Sequence, residues 1–191
     1  MQPLKTARSL LSQTLGRRLS GSLTARGKAR TLIRYGTRNR IPTLIETGTY
    51  HGSTVAGCLR HFERIYTIEL DDVLYEAARD RFSNEPTVTV IHGDSYTELS
   101  RLASEVTGPA LFWLDAHYSS GDTAKGAYDP PLPWELRAIV DRAQPDVVLI
   151  DDARLMGVSP GYPTLDQIHN LVDERASNFE VRHDIIRITL A

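Results

Sequence analysis

The chain is expected to fold as a doubly wound, mainly parallel α/β sheet closed by an antiparallel strand pair. Three features of its 191 residues predict this. Short β-rich runs alternate with helical stretches, the pattern of βαβ units. Two of those runs, "ALFWLD" (110–115) and "DVVLID" (146–151), have continuously apolar interiors, Ala110–Leu114 and Val147–Ile150, as strands covered on both faces do. The corner "LIETGTYHGSTV" (44–55) carries Gly48 and Gly52 where a strand runs into a helix.

The elements follow in order. "PTLIET" (42–47) reads as the first strand and Ser53 to Phe62 as a helix. "RIYTIEL" (64–70) is the second strand, and Asp71 is placed to N-cap the helix that continues through Arg81. "VTVIHGD" (88–94) is β-branched and strand-like, and Ser95 to Val106 repeats Leu99, Leu102 and Val106 at helical spacing. After the fourth strand, an irregular segment from Ala116 to Pro133 carries two glycines and three prolines. Loops of that length in a compact domain are usually functional or disordered. "WELRAIVDRA" (134–143) is helical, 146–151 is the fifth strand, and 164–175 is a helix with Leu165, Ile168, Leu171 and Val172 on one face. "FEVRHDIIRITL" (179–190) closes the sheet as a strand pair. The expected division is a basic, helical segment over 1–40 and one α/β domain over 41–191.

Composition is ordinary for a globular domain, 41% hydrophobic and 24% charged. No apolar run approaches the roughly 18 residues of a membrane span. With no evident export signal and one cysteine, the expected compartment is the cytoplasm. Cys58 alone supports neither an internal disulfide nor a cysteine-rich zinc site, and reads as a small buried helix residue. The net charge of −2 hides a strong asymmetry. Ten of the 22 basic residues fall in residues 1–45, which hold no acid, so the remainder sets 12 basic residues against 24 acids. Such a segment reads as a solvated basic helix packed on an acidic body, or as having a lipid, nucleic-acid or targeting role; no clear nucleic-acid site accompanies it, and contact with an anionic surface through residues 1–40 is the partner expectation.

Ligands of doubly wound sheets bind outside the carboxyl ends of the strands. Those ends here carry Glu46, Glu69, Asp94, Asp115, and the pair Asp151 and Asp152. So many acids on one rim repel unless a cation or hydroxyl-rich ligand offsets them. The corner lacks the third glycine of G-x-G-x-x-G and is no P-loop, and Glu46 beside it disfavours phosphate. It suits a ligand with a cationic amino group, while Glu69, about twenty residues on, can grip a ribose diol. Asp115, Asp151 and Asp152, on adjacent strands, form a set of oxygen ligands suited to Mg²⁺ or another divalent cation.

"ETGTYHGST", "YTIELD" and "IHGDS" together resemble, in order and spacing, the motifs of the class I S-adenosylmethionine-dependent methyltransferases, over roughly residues 40 to 191. The resemblance implies a Rossmann-like seven-stranded sheet and S-adenosylmethionine as cofactor. It places Glu46, Gly48, Tyr50, Gly52 and Ser53 at the cofactor's methionine end with Asp115 nearby, Glu69 on the ribose, and Asp94 and Ser95 near the adenine. "WLDAHYSSGDT" and "VVLIDDAR" are similar to the metal-dependent O-methyltransferases that act on sugar hydroxyls in macrolide and aminocoumarin antibiotics. That similarity implies a metal on Asp115, Asp151 and Asp152 and a small hydroxylated acceptor. His117 is then the candidate base, or a residue that only orders its loop. His51 and His92 read as shaping the cofactor pocket, and Tyr118, Tyr128 and Trp134 as an acceptor wall or lid packing.

The chain has no inserted cap domain, so the acceptor pocket must come from the 116–133 loop, the basic segment or a second subunit of a homo-oligomer. Competing readings are a metal-independent methyltransferase, a non-catalytic module acting through the basic segment, and, further off, a metal-dependent hydrolase.

Overall fold

Residues 23–115 and 130–191 are described by the computed structural model. Seven strands form one sheet in the order β3-β2-β1-β4-β5-β7-β6. They are β1 (Thr43–Thr47), β2 (Arg64–Glu69), β3 (Val88–His92), β4 (Ala110–Leu114), β5 (Val147–Ile150), β6 (Ala176–Arg182) and β7 (Ile185–Leu190). The first five pair in parallel, and β7 runs antiparallel between β5 and β6. This is the mainly parallel seven-stranded sheet with a closing antiparallel pair that the alternation predicts. The order reverses between β1 and β4, which creates a crevice at their carboxyl ends.

Helices cover both faces. α1 (Ala25–Asn39) and α2 (Ser53–Cys58) pack on one side, around Leu44, Leu111, Trp113 and Leu149. α3 (Asp72–Arg81) follows β2. α4 (Ser95–Glu105), α5 (Leu132–Asp141) and α6 (Leu165–Val172) pack on the other side, around Ile45, Phe112, Val148 and Ile188. Alternate residues of each central strand thus face opposite helical layers, and β1, β4 and β5 are buried throughout.

Local chemistry explains most helix boundaries. Asp71 accepts from the backbone N–H of Val73 and Leu74 and starts α3, as its sequence position predicts. Thr164 and Gln167 form a reciprocal capping box at α6. α2 is shorter than its sequence suggests: it ends at Cys58 rather than Phe62, and the chain turns there so that Phe62 can pack beneath α1. Cys58 is buried in that layer, and burial together with the nearby Glu46 pushes its thiol up to about 12, so it is no nucleophile at neutral pH.

α1 belongs to the same core. Ala29, Leu32, Tyr35 and Gly36 form its buried face, and Ala29 lies so close to Gly57 of α2 that a Cβ on Gly57 would meet it at 2.6 Å. Arg26, Arg30, Arg34 and Arg38, four apart, form its exposed ridge. Among the described residues no helix is long and apolar enough to cross a membrane.

At the far end of the sheet, Asp146 lies fully buried before β5. It accepts from Ala110 N–H at 2.8 Å and from Arg142 Nε at 2.8 Å, while Arg142 donates onward to the carbonyls of Ala103, Val106 and Gly108. Both side chains are withdrawn from solvent. Arg142→Met would leave Asp146 charged without its partner. Urea unfolding should show a loss of about 3–5 kcal/mol; a loss below about 1 kcal/mol would mean that the pair does not tie the helical layer to the sheet.

Candidate active site at the carboxyl rim

The strand registers set Thr67, Glu46, Trp113, Leu149 and Arg187 in one row across the sheet. The switch-point crevice opens just beyond this row. On its β1 side, Gly48 adopts φ 81° and its N–H and that of Thr49 both donate to Ile68 O, at 3.0 and 3.2 Å. Tyr50 has φ 49° and is half exposed. Gly52 also has positive φ, at 66°, and caps α2. A Cβ on Gly52 would lie 2.7 Å from the Phe82 ring, so this glycine is required by packing on the chain behind α3. Ser53 is the exposed first residue of α2.

Glu46 is buried, and Thr67 Oγ1 donates to its Oε2 at 2.7 Å, with Thr49 Oγ1 2.6 Å from that of Thr67. Burial raises its pKa to about 8, against the opposing effect of the Thr67 hydroxyl; Asp115 raises it further and Lys28 lowers it. Glu69 at the end of β2 is also buried, but backbone N–H groups hold it: Tyr50 N donates to Oε2 at 2.7 Å, and Leu70 N and Asp71 N to Oε1 at 3.0 Å each. Oε1 thus has both lone-pair sites used, while Oε2 keeps a further one for a ligand hydroxyl. Asp94 caps α4 by accepting from Tyr96 N at 2.9 Å, and Ser95 is the buried first residue of that helix.

Asp115, Asp151 and Asp152 come together as their strand positions predict, with carboxylate oxygens within 4.8 Å of one another. Asp151 is almost wholly buried, and its Oδ1 has no hydrogen-bond partner among the described residues. Burial pushes its carboxyl up, Lys28 pulls it down, and Asp152 pushes it up again. Asp152 sits at φ 54° and meets Arg154 Nη1 at 2.5 Å; Arg154 also pairs with Asp184. The donor chemistry and the orphaned buried oxygen fit a hard divalent cation.

Two functional candidates escaped the sequence reading. Lys28 of α1 reaches the rim, where its Nζ lies 3.1 Å from Asp115 Oδ2 and pairs with Asp151 Oδ2. Burial alone would lower its pKa, but the two carboxylates outweigh burial and raise it, so the ammonium stays charged. Glu135 of α5 lies buried beside the Ser95 and Thr47 hydroxyls; burial lifts its pKa to about 7, and Asp94 adds to the rise. Helical spacing was the usable signal for both. Lys28 precedes Leu32 and Tyr35 by four and seven residues, and Glu135 falls between Leu132, Leu136 and Ile139.

Of the remaining candidates, His51 packs its ring 3.9 Å from that of Tyr50. His92 is turned toward α3, stacked on Tyr75 at 4.4 Å and 3.0 Å from Asp72. Trp134 is half exposed and sets its edge to Tyr96 at 6.0 Å, between α5 and α4. His117, Tyr118 and Tyr128 lie outside the described residues.

By sequence, no family model and no curated protein matches the chain. By structure, it is similar to the O-methyltransferase TomG from Streptomyces achromogenes, involved in tomaymycin synthesis and crystallised with S-adenosylmethionine (TM-score 0.64, 17% identity, covering 100% of this chain and 91% of that one). It is similar to an O-methyltransferase from Bacillus cereus in complex with S-adenosylhomocysteine (TM-score 0.64, 14% identity, 96% and 89% covered). It is also similar to the N-methyltransferase NodS from Bradyrhizobium japonicum (TM-score 0.58, 11% identity, 86% and 95% covered).

The buried carboxyls make the unliganded protein sensitive to pH. Glu46 and Glu135 have folded pKa values raised above their unfolded values near 4.5, so the native state binds more protons than the unfolded state in between. Their stabilisation is full below the unfolded pKa and falls as pH rises toward about 8 and about 7 respectively, by up to about 1.4 kcal/mol per pH unit for each group. Denaturant unfolding between pH 5 and 8 should show a shallower decline in Glu46→Gln than in the native chain. Equal slopes would show that Glu46 is ionised throughout. The sheet order, the rim and these likenesses agree: the chain has the fold of the class I S-adenosylmethionine-dependent methyltransferases.

Proposed function

We propose that the protein transfers a methyl group from S-adenosylmethionine to a hydroxyl of a small acceptor, a sugar or another polyol, with help from a divalent cation such as Mg²⁺. The observation that carries this reading is the convergence of Asp115, Asp151 and Asp152 beside the switch-point corner, with a buried oxygen of Asp151 left unpartnered. The structures of similar fold crystallised with S-adenosylmethionine or S-adenosylhomocysteine support the choice of cofactor.

In this reading Gly48 and Tyr50 line the cofactor's methionine end, with Gly52 and Ser53 behind them and buried Glu46 beneath. Glu69, its two oxygens already aimed by three backbone N–H groups, accepts the ribose hydroxyls. Asp94 and Ser95 flank the adenine, and Asp115 faces both cofactor and acceptor. Asp115, Asp151 and Asp152 would hold the cation, which when bound acidifies an alcohol and restrains its position. S-adenosylmethionine would supply the methyl group: the acceptor oxygen would bond to the methyl carbon as the carbon–sulfur bond breaks in line, leaving the sulfur as the neutral thioether of S-adenosylhomocysteine. The hydroxyl proton passes to a base, for which His117 stands two residues beyond Asp115 in the chain. Because the donor is a sulfonium, the protein's work is proximity, alignment and exclusion of water.

One observation favours a second reading. Lys28 already supplies a cation to two of the three carboxylates, which is what a metal-independent methyltransferase needs to keep its rim neutral.

The test is transfer of labelled methyl from S-adenosylmethionine to a panel of sugars and polyols. Transfer that EDTA abolishes and Mg²⁺ restores, and that falls by on the order of a hundredfold or more in Asp152→Asn, is the expected result. Transfer unaffected by EDTA would select the metal-independent reading. Methylation of amines with no transfer to any hydroxyl would reject an alcohol acceptor.

A further inference from the structure

The acidic trio already has a cation, and it comes from a different part of the chain. Lys28 projects from the first turns of α1, its side chain four-fifths withdrawn from solvent, and 5.6 Å from the centre of the Trp113 ring. Its Nζ faces Asp115 Oδ2 and Asp151 Oδ2 together. Asp152 is left to Arg154, on the other flank. The lysine therefore bridges the two strands, β4 and β5, whose end acids would share a metal.

A divalent cation of magnesium's size needs carboxylate oxygens at about 2.0–2.1 Å. Lys28 holds one oxygen of each of the two acids, Asp115 Oδ2 and Asp151 Oδ2, so a cation that draws both carboxylates onto itself competes with the ammonium for them. Two cations gathered on the same pair of acids repel each other strongly in a largely buried site. Nor can the trio stand without a cation, since buried Asp151 would then be a charge with no counter-charge. We propose that Lys28 and a divalent cation are alternative occupants of the trio, so that metal binding expels the lysine and undocks the first turns of α1 from the carboxyl rim. This rests on the metal-assisted reading above. It makes Lys28 the residue that sets metal affinity, and it couples metal loading to the opening of the rim on its α1 side. The dication offers two charges to the acids where the ammonium offers one, so the exchange runs toward the metal when metal is in excess.

The experiment follows Mn²⁺ binding to the full chain by the loss of the free-ion electron paramagnetic resonance signal, in the native chain, Lys28→Met and Lys28→Arg. Amide hydrogen exchange across residues 25–31 is measured in parallel, with and without Mn²⁺. Lys28→Met should bind Mn²⁺ more tightly than the native chain by about tenfold or more, while Lys28→Arg, which keeps the charge, stays weak. In the native chain Mn²⁺ should speed exchange over 25–31 without altering exchange in β4 or β5. That measurement needs no variant, so it stands even if Lys28→Met folds poorly. Equal Mn²⁺ affinity in native chain and Lys28→Met, or unchanged exchange in α1 at saturating Mn²⁺, would overturn the proposal while leaving a metal site intact. No Mn²⁺ binding by any of the three chains would overturn the metal reading and the exchange with it.

Discussion

A parallel sheet delivers the ends of its strands to one rim, and in this chain those ends are acidic. Glu46, Glu69, Asp94, Asp115, Asp151 and Asp152 therefore share one rim, and the fold must offset their mutual repulsion. Four devices settle the six. Backbone N–H groups hold Glu69 and Asp94. Burial keeps Glu46 protonated to about pH 8. Arg154 takes Asp152, and Lys28 takes Asp115 and Asp151. The resulting rim is charged and largely buried, and it presents hydrogen-bond acceptors along the carboxyl ends of the strands.

α1 is the element through which this solution reaches the rest of the structure. Its buried face carries Lys28 at one end and Tyr35 two turns later. Tyr35 donates to Glu180 Oε1 at 2.9 Å and lies over the buried guanidinium of Arg187, in the same row of the sheet as Glu46 and Trp113. Between these polar anchors, Ala29 and Leu32 pack on Gly57, Leu111 and Trp113. The helix thus spans β4, β5 and β7 and fixes where the lysine enters the rim. Burial supplies the adhesion of α1, and the ion pairs set its register on the sheet.

Much of this was legible in the chain. The alternation of strand-like and helical runs predicts the seven strands in their observed order class, and continuous apolarity correctly marked β4 and β5 as buried on both faces. Asp71 was readable as a helix cap because its chemistry is local. The gathering of Asp115, Asp151 and Asp152 followed from topology alone, since residues just past adjacent parallel strands must be neighbours. What was not legible depends on which side chain crosses between layers. Gly52 also answers a packing demand that its place in the sequence does not show: Phe82, thirty residues later, lies 2.7 Å from where its Cβ would be. Lys28 was lost among the arginines of an acid-free segment, whose charge drew more notice than its helical phase. That phase separates Lys28, on the buried stripe, from Arg26, Arg30, Arg34 and Arg38 on the exposed ridge. Of the basic segment, the structure describes α1, which packs on the sheet with an exposed arginine ridge, while residues 1–22 lie outside the described residues.

The central claim is that the carboxyl rim is built to seat S-adenosylmethionine, with Glu69 as its ribose anchor. Calorimetric titration of the full chain with S-adenosylhomocysteine tests it most directly. The account predicts one site with a dissociation constant on the order of micromolar, equivalent to roughly 8 kcal/mol, weakened by tenfold or more in Glu69→Gln, which keeps the shape but loses the charge-assisted hydrogen bonds. Absence of heat in the native chain, or equal affinity in Glu69→Gln, would contradict it.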